Sequence, residues 1–369
     1  MEILRAKTLD LRQTGALTPE QSANSTLNQE EALKQNTILK SAPRRLVLEL
    51  TNRCNLNCVM CGRNAADFQP TQFQMEWLKY FEPVRNLVEE VTLMGWGEPT
   101  VHPDFVEFLR WAYESGMRKY FCTNGMRLEQ LTPALFEYHT DIFAVSLDGA
   151  EEKTNQSIRR GSDFHKILKA LEQINRKKAQ EHLEYPYNNF VFTAMKQNIR
   201  ELPALVRLAG DIGVNEVKAV FLTAFDEWSR EQTLFYDMEL VREVFAQAAE
   251  EGERLGVALK LPHLCGEDPA GDLPHKTCYV GWRDFFLGSD GYVRPCMSTA
   301  QKLFHISRYP DFWSMWNAEE YQRHRETVNQ AGMPVHCANC YQSSFANWNK
   351  ITSFIQIGQN FAPDWDKKT

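Results

Sequence analysis

Between Arg45 and Gly256 short apolar runs alternate with amphipathic stretches. The runs "RLVLELT", "VEEVTLMGWG", "RKYFCTNG", "DIFAVSLDG", "NFVFTAM" and "EVKAVFLT" read as six strands. The stretch "HPDFVEFLRWAYESGM" has Pro103 near its start, Phe105, Phe108, Leu109 and Ala112 on one face, and Gly116 as a stop, which predicts a helix. "FHKILKALEQINRKKAQ" carries Ile167, Leu168, Leu171 and Ile174 on one stripe. "IRELPALVRLAGDIG" and a segment near Tyr236–Gly256 predict two more helices. Such alternation indicates a parallel sheet covered by helices. Six strands suit an open doubly wound sheet or an incomplete barrel, and periodicity alone does not separate them.

The flanks have a different texture. Residues 1–44 are rich in Gln, Asn, Ser and Glu and read as an arm or a helical cover. After residue 257 the chain holds Pro, Gly, Asp and Cys, one hairpin in "RDFFLGSDGYVRPC" with Asp290-Gly291 at its turn, and one amphipathic helix near 312–330. A segment this small and loop-rich calls for a support beyond its core, and a metal would supply one. The expected division is a polar arm (1–44), an α/β unit (45–256), a cysteine-bearing domain (257–345) and a tail (346–369).

Composition narrows the function. With 43% hydrophobic and 24% charged residues the 369-residue chain is that of a globular protein. Its net charge of −7 argues against a nucleic-acid partner, which needs a basic face. There is no apolar run long enough to span a membrane, and the first residues lack the pattern of a signal peptide, so a cytoplasmic location is expected. Disulfides are rare there, which makes the nine cysteines candidates for metal ligation or catalysis.

Cys54, Cys58 and Cys61 lie on one short loop directly after the first strand, spaced C-x3-C-x2-C. A structural zinc wants four protein ligands, and the closest further Cys or His are Cys122 and His102. An iron–sulfur cluster with one open iron fits better, its missing ligand being a small molecule.

This triplet resembles the signature of the radical S-adenosylmethionine (SAM) superfamily, and other motifs fall in that family's order. "MGWGEP" resembles the glycine–glutamate motif: Gly95 and Gly97 would let backbone approach the ligand, and Glu98 would accept from the methionine ammonium. Asn124 in "TNG" follows the third strand. Ser146 and Asp148 in "SLDG" resemble the strand end that meets the ribose hydroxyls. "IRRG" offers Arg159 or Arg160 for the methionine carboxylate, with Arg159 favoured by its place after Ile158. Met60 stands where the family often has an aromatic residue, and a methionine can still pack on adenine. All these motifs sit at predicted strand ends, where ligands of parallel α/β folds gather. The resemblance covers residues 45–255. It implies a partial (β/α)6 TIM-type barrel with a small C-terminal cluster domain near its mouth, a SAM-binding [4Fe–4S] cluster, and reductive cleavage of SAM to a 5′-deoxyadenosyl radical.

Among the remaining cysteines, Cys278 and Cys296 flank the hairpin and Cys337 and Cys340 form a C-x2-C pair. Four-cysteine zinc ligation is open to such a set. The pattern C-x12-G-x4-C, the helix "FWSMWNAEEYQRHR" and the C-x2-C pair resemble the SPASM extension of radical SAM enzymes, in its shorter single-cluster twitch form. The resemblance implies an auxiliary [4Fe–4S] cluster on Cys278, Cys296, Cys337 and Cys340 that moves electrons. Cys122 reads as a core residue in a strand. Cys265 is either an inert loop cysteine or a thiol that returns a hydrogen atom to a substrate radical.

The implied activity is hydrogen abstraction from a specific substrate, with net dehydrogenation of a small polar metabolite such as an amino sugar or cyclitol as the first expectation. Modification of a peptide and epimerisation are the alternatives within the class, and a non-enzymatic iron–sulfur sensor is the alternative outside it. A flavodoxin- or ferredoxin-type reductant is the implied protein partner.

Overall fold

The computed structural model describes residues 17–64, 69–223, 227–234, 236–262, 277–297, 299, 301–334 and 337. The helices α1 (Pro19–Leu33), α2 (Phe105–Glu114), α3 (Leu128–Glu137), α4 (Glu152–Ile158), α5 (Phe164–Gln180), α6 (Leu202–Asp211), α7 (Glu227–Glu231) and α8 (Met238–Leu255) accompany a single sheet. Strands β1 (Arg45–Leu48), β2 (Glu90–Leu93), β3 (Arg118–Thr123), β4 (Ile142–Ser146), β5 (Tyr187–Ala194) and β6 (Glu216–Phe221) are parallel and lie side by side in chain order. A doubly wound sheet would reverse its order at a switch point, and this one does not.

The two faces of the sheet also differ. Leu93, Phe121, Val145, Phe190 and Val217 share one core with Phe108, Leu171, Leu205 and Phe245 of the helices. Ile142 and Tyr187 point to the other face and form a small separate cluster with Tyr120 and Tyr185. Helices therefore pack on one face while the other lines an interior, which is the arrangement of a partial barrel.

Three features differ from the sequence expectation. Helix α3 holds Pro133 in its interior, a residue that argues against a helix locally, yet Leu128, Leu131, Ala134 and Leu135 are buried. The sheet extends past the six strands, with β7 (Ala258–Lys260) parallel to β6 and β8 (Asp284–Leu287) parallel to β1 on its other side. The hairpin of β8 and β9 (Tyr292–Arg294), followed by β10 (Phe304–His305), thus belongs to the barrel's own sheet. The short helix α9 (Val280–Arg283) leads into β8. The helix expected near 312–330 is two, α10 (Phe312–Trp316) and α11 (Glu319–Thr327), and at the break the Asn317 amide exchanges two hydrogen bonds with the backbone of Leu39 (2.8 and 2.9 Å).

That exchange belongs to a larger grip. Helix α1 is started by a capping box of Thr18 and Gln21, and its buried face is polar: Gln21, Asn24, Asn28 and Glu31. Asn28 donates to the carbonyls of Trp282 (2.8 Å) and Ala42 (3.2 Å) and to Ser41 Oγ (3.0 Å). Gln21 donates to Val88 O and Asn24 to Leu87 O. The indoles of Trp282 and Trp316 donate to Asn36 O and Ser41 O, and Arg325 donates to Thr37 O. Residues 19–42 are therefore a cover hydrogen-bonded both to the lead-in of β2 and to α9, α10 and α11. No helix among the described residues is long and apolar enough to cross a membrane.

Candidate active site

The loop after β1 is laid down by backbone pairing. Phe73 donates to Leu50 O (2.9 Å), Asn52 exchanges bonds with Thr71 N and Gln69 O (2.7 Å each), and beyond them the N–H groups of Asn57 and Val59 donate to Arg160 O (3.0 Å) and Ile158 O (2.9 Å). Cys54, Cys58 and Cys61 are half-buried and not in disulfides. Leu56 N–H donates to Cys54 Sγ (3.4 Å), and Asn124 Nδ2 lies 3.8 Å from it. Arg159 Nη1 is 4.0 Å from Cys58 Sγ. Burial pushes the Cys54 thiol up and the Cys58 thiol up to about 11, against the pull of Arg159. Ligation takes the thiolate form, so binding a cluster would release the thiol protons.

The glycines of "MGWGEP" make room for the protein's own atoms, backbone at Gly97 and the Glu49 side chain at Gly95. A Cβ on Gly97 would meet the carbonyl oxygens of Thr51 and Arg53 and stand 2.6 Å from the Asn52 carbonyl carbon. One on Gly95 would stand 2.7 Å from Glu49 Cδ. The close approach that glycine permits is therefore made by the cysteine loop and the end of β1. The sequence did not single out Glu49. Its buried carboxylate accepts from Trp96 N–H (2.8 Å) and from the N–H and hydroxyl of Ser289 (3.1 and 2.8 Å), which joins this loop to the β8–β9 turn. Three donors converging on one buried carboxylate from segments far apart in the chain leave no local sequence signal.

Glu98 is buried at the end of β2. Its Oε1 accepts from Thr100 N–H (3.2 Å), Thr100 Oγ1 (2.6 Å) and Thr123 Oγ1 (2.7 Å), and its Oε2 accepts from Asn124 N–H (2.7 Å). Burial pushes the carboxyl up and these donors oppose it. Oε2, with one donor, keeps acceptor capacity for another. Asn124 Nδ2 donates to Asn55 Oδ1 (2.8 Å), tying the end of β3 to the cysteine loop.

The two candidate arginines separate cleanly. Arg159 is buried with its Nε 2.8 Å from Asp148 Oδ2, whereas Arg160 is exposed. Asp148 is fully buried, and its Oδ1 accepts from Thr193 N–H (2.7 Å). Burial pushes its carboxyl up and Arg159 opposes this. Its place is behind Arg159, which differs from the ribose contact that the resemblance implied; Ser146 is the more accessible of the two. Ser146 Oγ lies 3.4 Å from Cys122 Sγ. Cys122 is half-buried on the sheet's inner face, so the expectation of a core residue is corrected. Met60 packs with Val59, Trp228 and the buried Ile158, Met195 and Leu222, an apolar wall beside the same strand ends.

Of the second set, Cys278 and Cys296 are half-buried and Cys337 is buried. The Asn329 side chain accepts from Cys278 N–H (2.8 Å) and donates to Cys278 O (3.0 Å), so the segment after α11 is held against Cys278. Cys265 and Cys340 lie outside the described residues.

A model of the radical SAM superfamily matches residues 48–209, and a model of the SPASM iron–sulfur cluster-binding domain matches residues 278–341. The chain belongs to the radical SAM superfamily and carries a C-terminal SPASM domain. It is similar to the AdoMet-dependent heme synthase of Methanosarcina barkeri, 24% identical over 340 residues that cover 84% of this chain and 94% of the relative. It is also similar to the mycofactocin maturase MftC of Mycolicibacterium smegmatis, 25% identical over 316 residues, 81% and 76% of the two chains. The fold matches that of Streptococcus suis SuiB bound to SAM, with a TM-score of 0.66 at 14% identity over 96% of this chain and 85% of that one.

Radical SAM proteins bind SAM and an iron–sulfur cluster, and the residues present fit both. Among the described residues no three Cys, His, Asp or Glu side chains converge on the position of one metal ion. A cluster takes its thiolates on separate irons and leaves one iron open, which suits a loop that supplies three. A buried cation, an acceptor carboxylate and an apolar wall around the triplet match the carboxylate, ammonium and adenine of SAM.

Proposed function

We propose that the protein reductively cleaves SAM, abstracts a hydrogen atom from a bound substrate and completes a net two-electron oxidation. One observation carries this: the Cys54–Cys58–Cys61 loop meets the buried Arg159–Asp148 pair and Glu98 at the C-terminal ends of β1 to β4. A [4Fe–4S] cluster on Cys54, Cys58 and Cys61 supplies, with SAM, a 5′-deoxyadenosyl radical able to break a C–H bond. Arg159 then holds the methionine carboxylate, with Asp148 fixing its orientation. Glu98 accepts from the ammonium and ties β2 to β3. Met60 and Ser146 flank the adenosyl part, and Gly95 and Gly97 let the cysteine loop pack on the end of β2. Asn124 braces that loop.

Cys278, Cys296, Cys337 and Cys340 would hold a single auxiliary cluster, which would supply an acceptor for the second electron of the oxidation. The substrate of the first reading is a small polar metabolite such as an amino sugar or cyclitol. A second reading, a peptide or a tetrapyrrole, is favoured by the similarity to a maturase and a heme synthase over four-fifths of the chain. Epimerisation would need Cys265 as hydrogen donor.

The test is release of 5′-deoxyadenosine from SAM under dithionite by anaerobically reconstituted protein, with Cys58→Ala as the control. Deuterium transfer into 5′-deoxyadenosine from labelled candidate substrates then separates the substrate classes. A fully reconstituted protein that releases none would leave a binding or sensing role.

A further inference from the structure

The reaction proposed above needs an electron from outside, and the surface around the cysteine loop has a charge unlike the rest of the chain. Residues 53–64 and 157–162 contain four arginines and no aspartate or glutamate, in a chain of net charge −7. The two segments are neighbours in space, joined by the Asn57–Arg160 and Val59–Ile158 backbone hydrogen bonds. Arg159 turns inward to Asp148. Arg53 and Arg160 are exposed, and Arg63 is half-buried with a buried Nε that no acceptor meets.

Among the described residues none of these three guanidinium groups has a carboxylate partner. Several other surface arginines do, Arg85 with Glu82, Arg207 and Arg254 with Glu251, and Arg323 with Glu319. Two exposed arginines that do not, Arg176 and Arg200, stand singly on α5 and before α6 rather than beside one another. The nearest acid along the second segment, Asp163, accepts from Lys166 N–H at the start of α5. The loop's other exposed side chains, Asn55, Asn57 and Asn64, are neutral. A rim of arginines without ion pairs among the described residues, set around a half-buried redox site, suits an anionic partner that must come close only briefly. Redox encounters bury little surface and depend on electrostatic steering.

We propose that Arg53, Arg63 and Arg160 form the docking surface for a small acidic electron-carrier protein, with a flavin or an iron–sulfur group, that delivers one electron to the site held by Cys54, Cys58 and Cys61. The carrier is oxidised by one electron and the site reduced by one, and no bond is made or broken in the transfer. This rests on the reading of that site as a SAM-cleaving centre.

The experiment compares two electron sources in the reconstituted holoenzyme: dithionite, which is too small to need docking, and NADPH with a flavodoxin reductase and an acidic flavodoxin, or alternatively a reduced acidic ferredoxin. In the Arg53→Glu/Arg160→Glu protein, carrier-driven release of 5′-deoxyadenosine falls about tenfold or more while dithionite-driven release stays within about twofold of wild type. The wild-type carrier-driven rate falls with added salt and the reversed variant's does not. The Arg53→Lys/Arg160→Lys protein keeps most of the carrier-driven rate. Equal losses with both sources would mean that the arginines serve the cluster or the fold, and no loss would mean that the carrier docks elsewhere; either result overturns the proposal. Wild-type protein active with dithionite but with neither carrier overturns it too and leaves the site reading intact. No release even with dithionite removes the site reading and this proposal with it.

Discussion

Gly97→Ala asks whether the glycine between Trp96 and Glu98 is there to let the cysteine loop pack. The new Cβ would stand 2.6 Å from the Asn52 carbonyl carbon and nearer still to the carbonyl oxygens of Thr51 and Arg53, where ordinary contact begins near 3.4 Å. The segment must retreat by close to 1 Å, and all of the opposing atoms are backbone. That backbone is held: Arg53 O accepts from Glu98 N–H (2.8 Å), and Asn52 is tied to Thr71 and Gln69. With no side chain to swing aside, overpacking costs about 1–3 kcal/mol or displaces the loop, and Cys54 follows Arg53 directly. Ligation tolerates only about 0.2 Å. Reconstituted Gly97→Ala should keep the wild-type far-UV circular dichroism, bind about half the wild-type iron and sulfide because one of two cluster sites is lost, and release little 5′-deoxyadenosine. Gly256→Ala is the control, since its positive φ of 68° makes it strained with nothing within 4 Å. That variant should lose about 1 kcal/mol and keep its iron. A Gly97→Ala protein with full iron and wild-type SAM cleavage would refute the reasoning.

Asp148→Asn removes the anion 2.8 Å from the buried Arg159. Stability in denaturant should fall by about 3 kcal/mol and the KM for SAM should rise; unchanged values of both would show that the pair neither stabilises the fold nor orients the arginine. Asn28→Ala strips partners from two carbonyls and a hydroxyl under α1, which should cost about 2–3 kcal/mol and lower the thermal midpoint, whereas an unshifted midpoint would mean that α1 is only loosely attached. At Asp290 burial acts upward on the carboxyl, but Arg294 and Lys302 outweigh it and hold the pKa at about 2, below the usual 3.8. The folded value lies below the unfolded one, so the stabilisation, about 2 kcal/mol, is present above pH 3.8 and is lost as pH falls through about 2. Asp290→Asn should therefore be less stable than wild type at neutral pH, with a gap that narrows below about pH 4; a gap independent of pH would count against the ion pairs as its source.

The six strands, the larger helices and the cysteine triplet were legible because each is a local pattern. A period of two or of 3.6, or a spacing of three thiols, survives whatever the distant chain does. Helix α1 was legible only as one of two alternatives, an arm or a helical cover, since its buried positions are polar. Gln21, Asn24 and Asn28 are buried because carbonyls from Ala42 to Trp282 wait for them, and Glu31 because the N–H groups of Lys40 and Ser41 do. The β8–β9 hairpin could be read from its turn, but its seat on β1 depends on a register between Arg45 and Asp284 that no local pattern encodes. The same holds at the site. Its place after Ile158 favoured Arg159 over Arg160 without deciding between them, and the end of α4 decides it by turning Arg159 inward to Asp148 and leaving Arg160 in solvent. Gly95 and Gly97 announced a close approach, and only the folded chain shows that Glu49 and the Thr51–Arg53 backbone make it. Neighbours in the chain determine which residues can form an element or bear a ligand, whereas burial and hydrogen bonding between segments far apart determine which of those residues face each other.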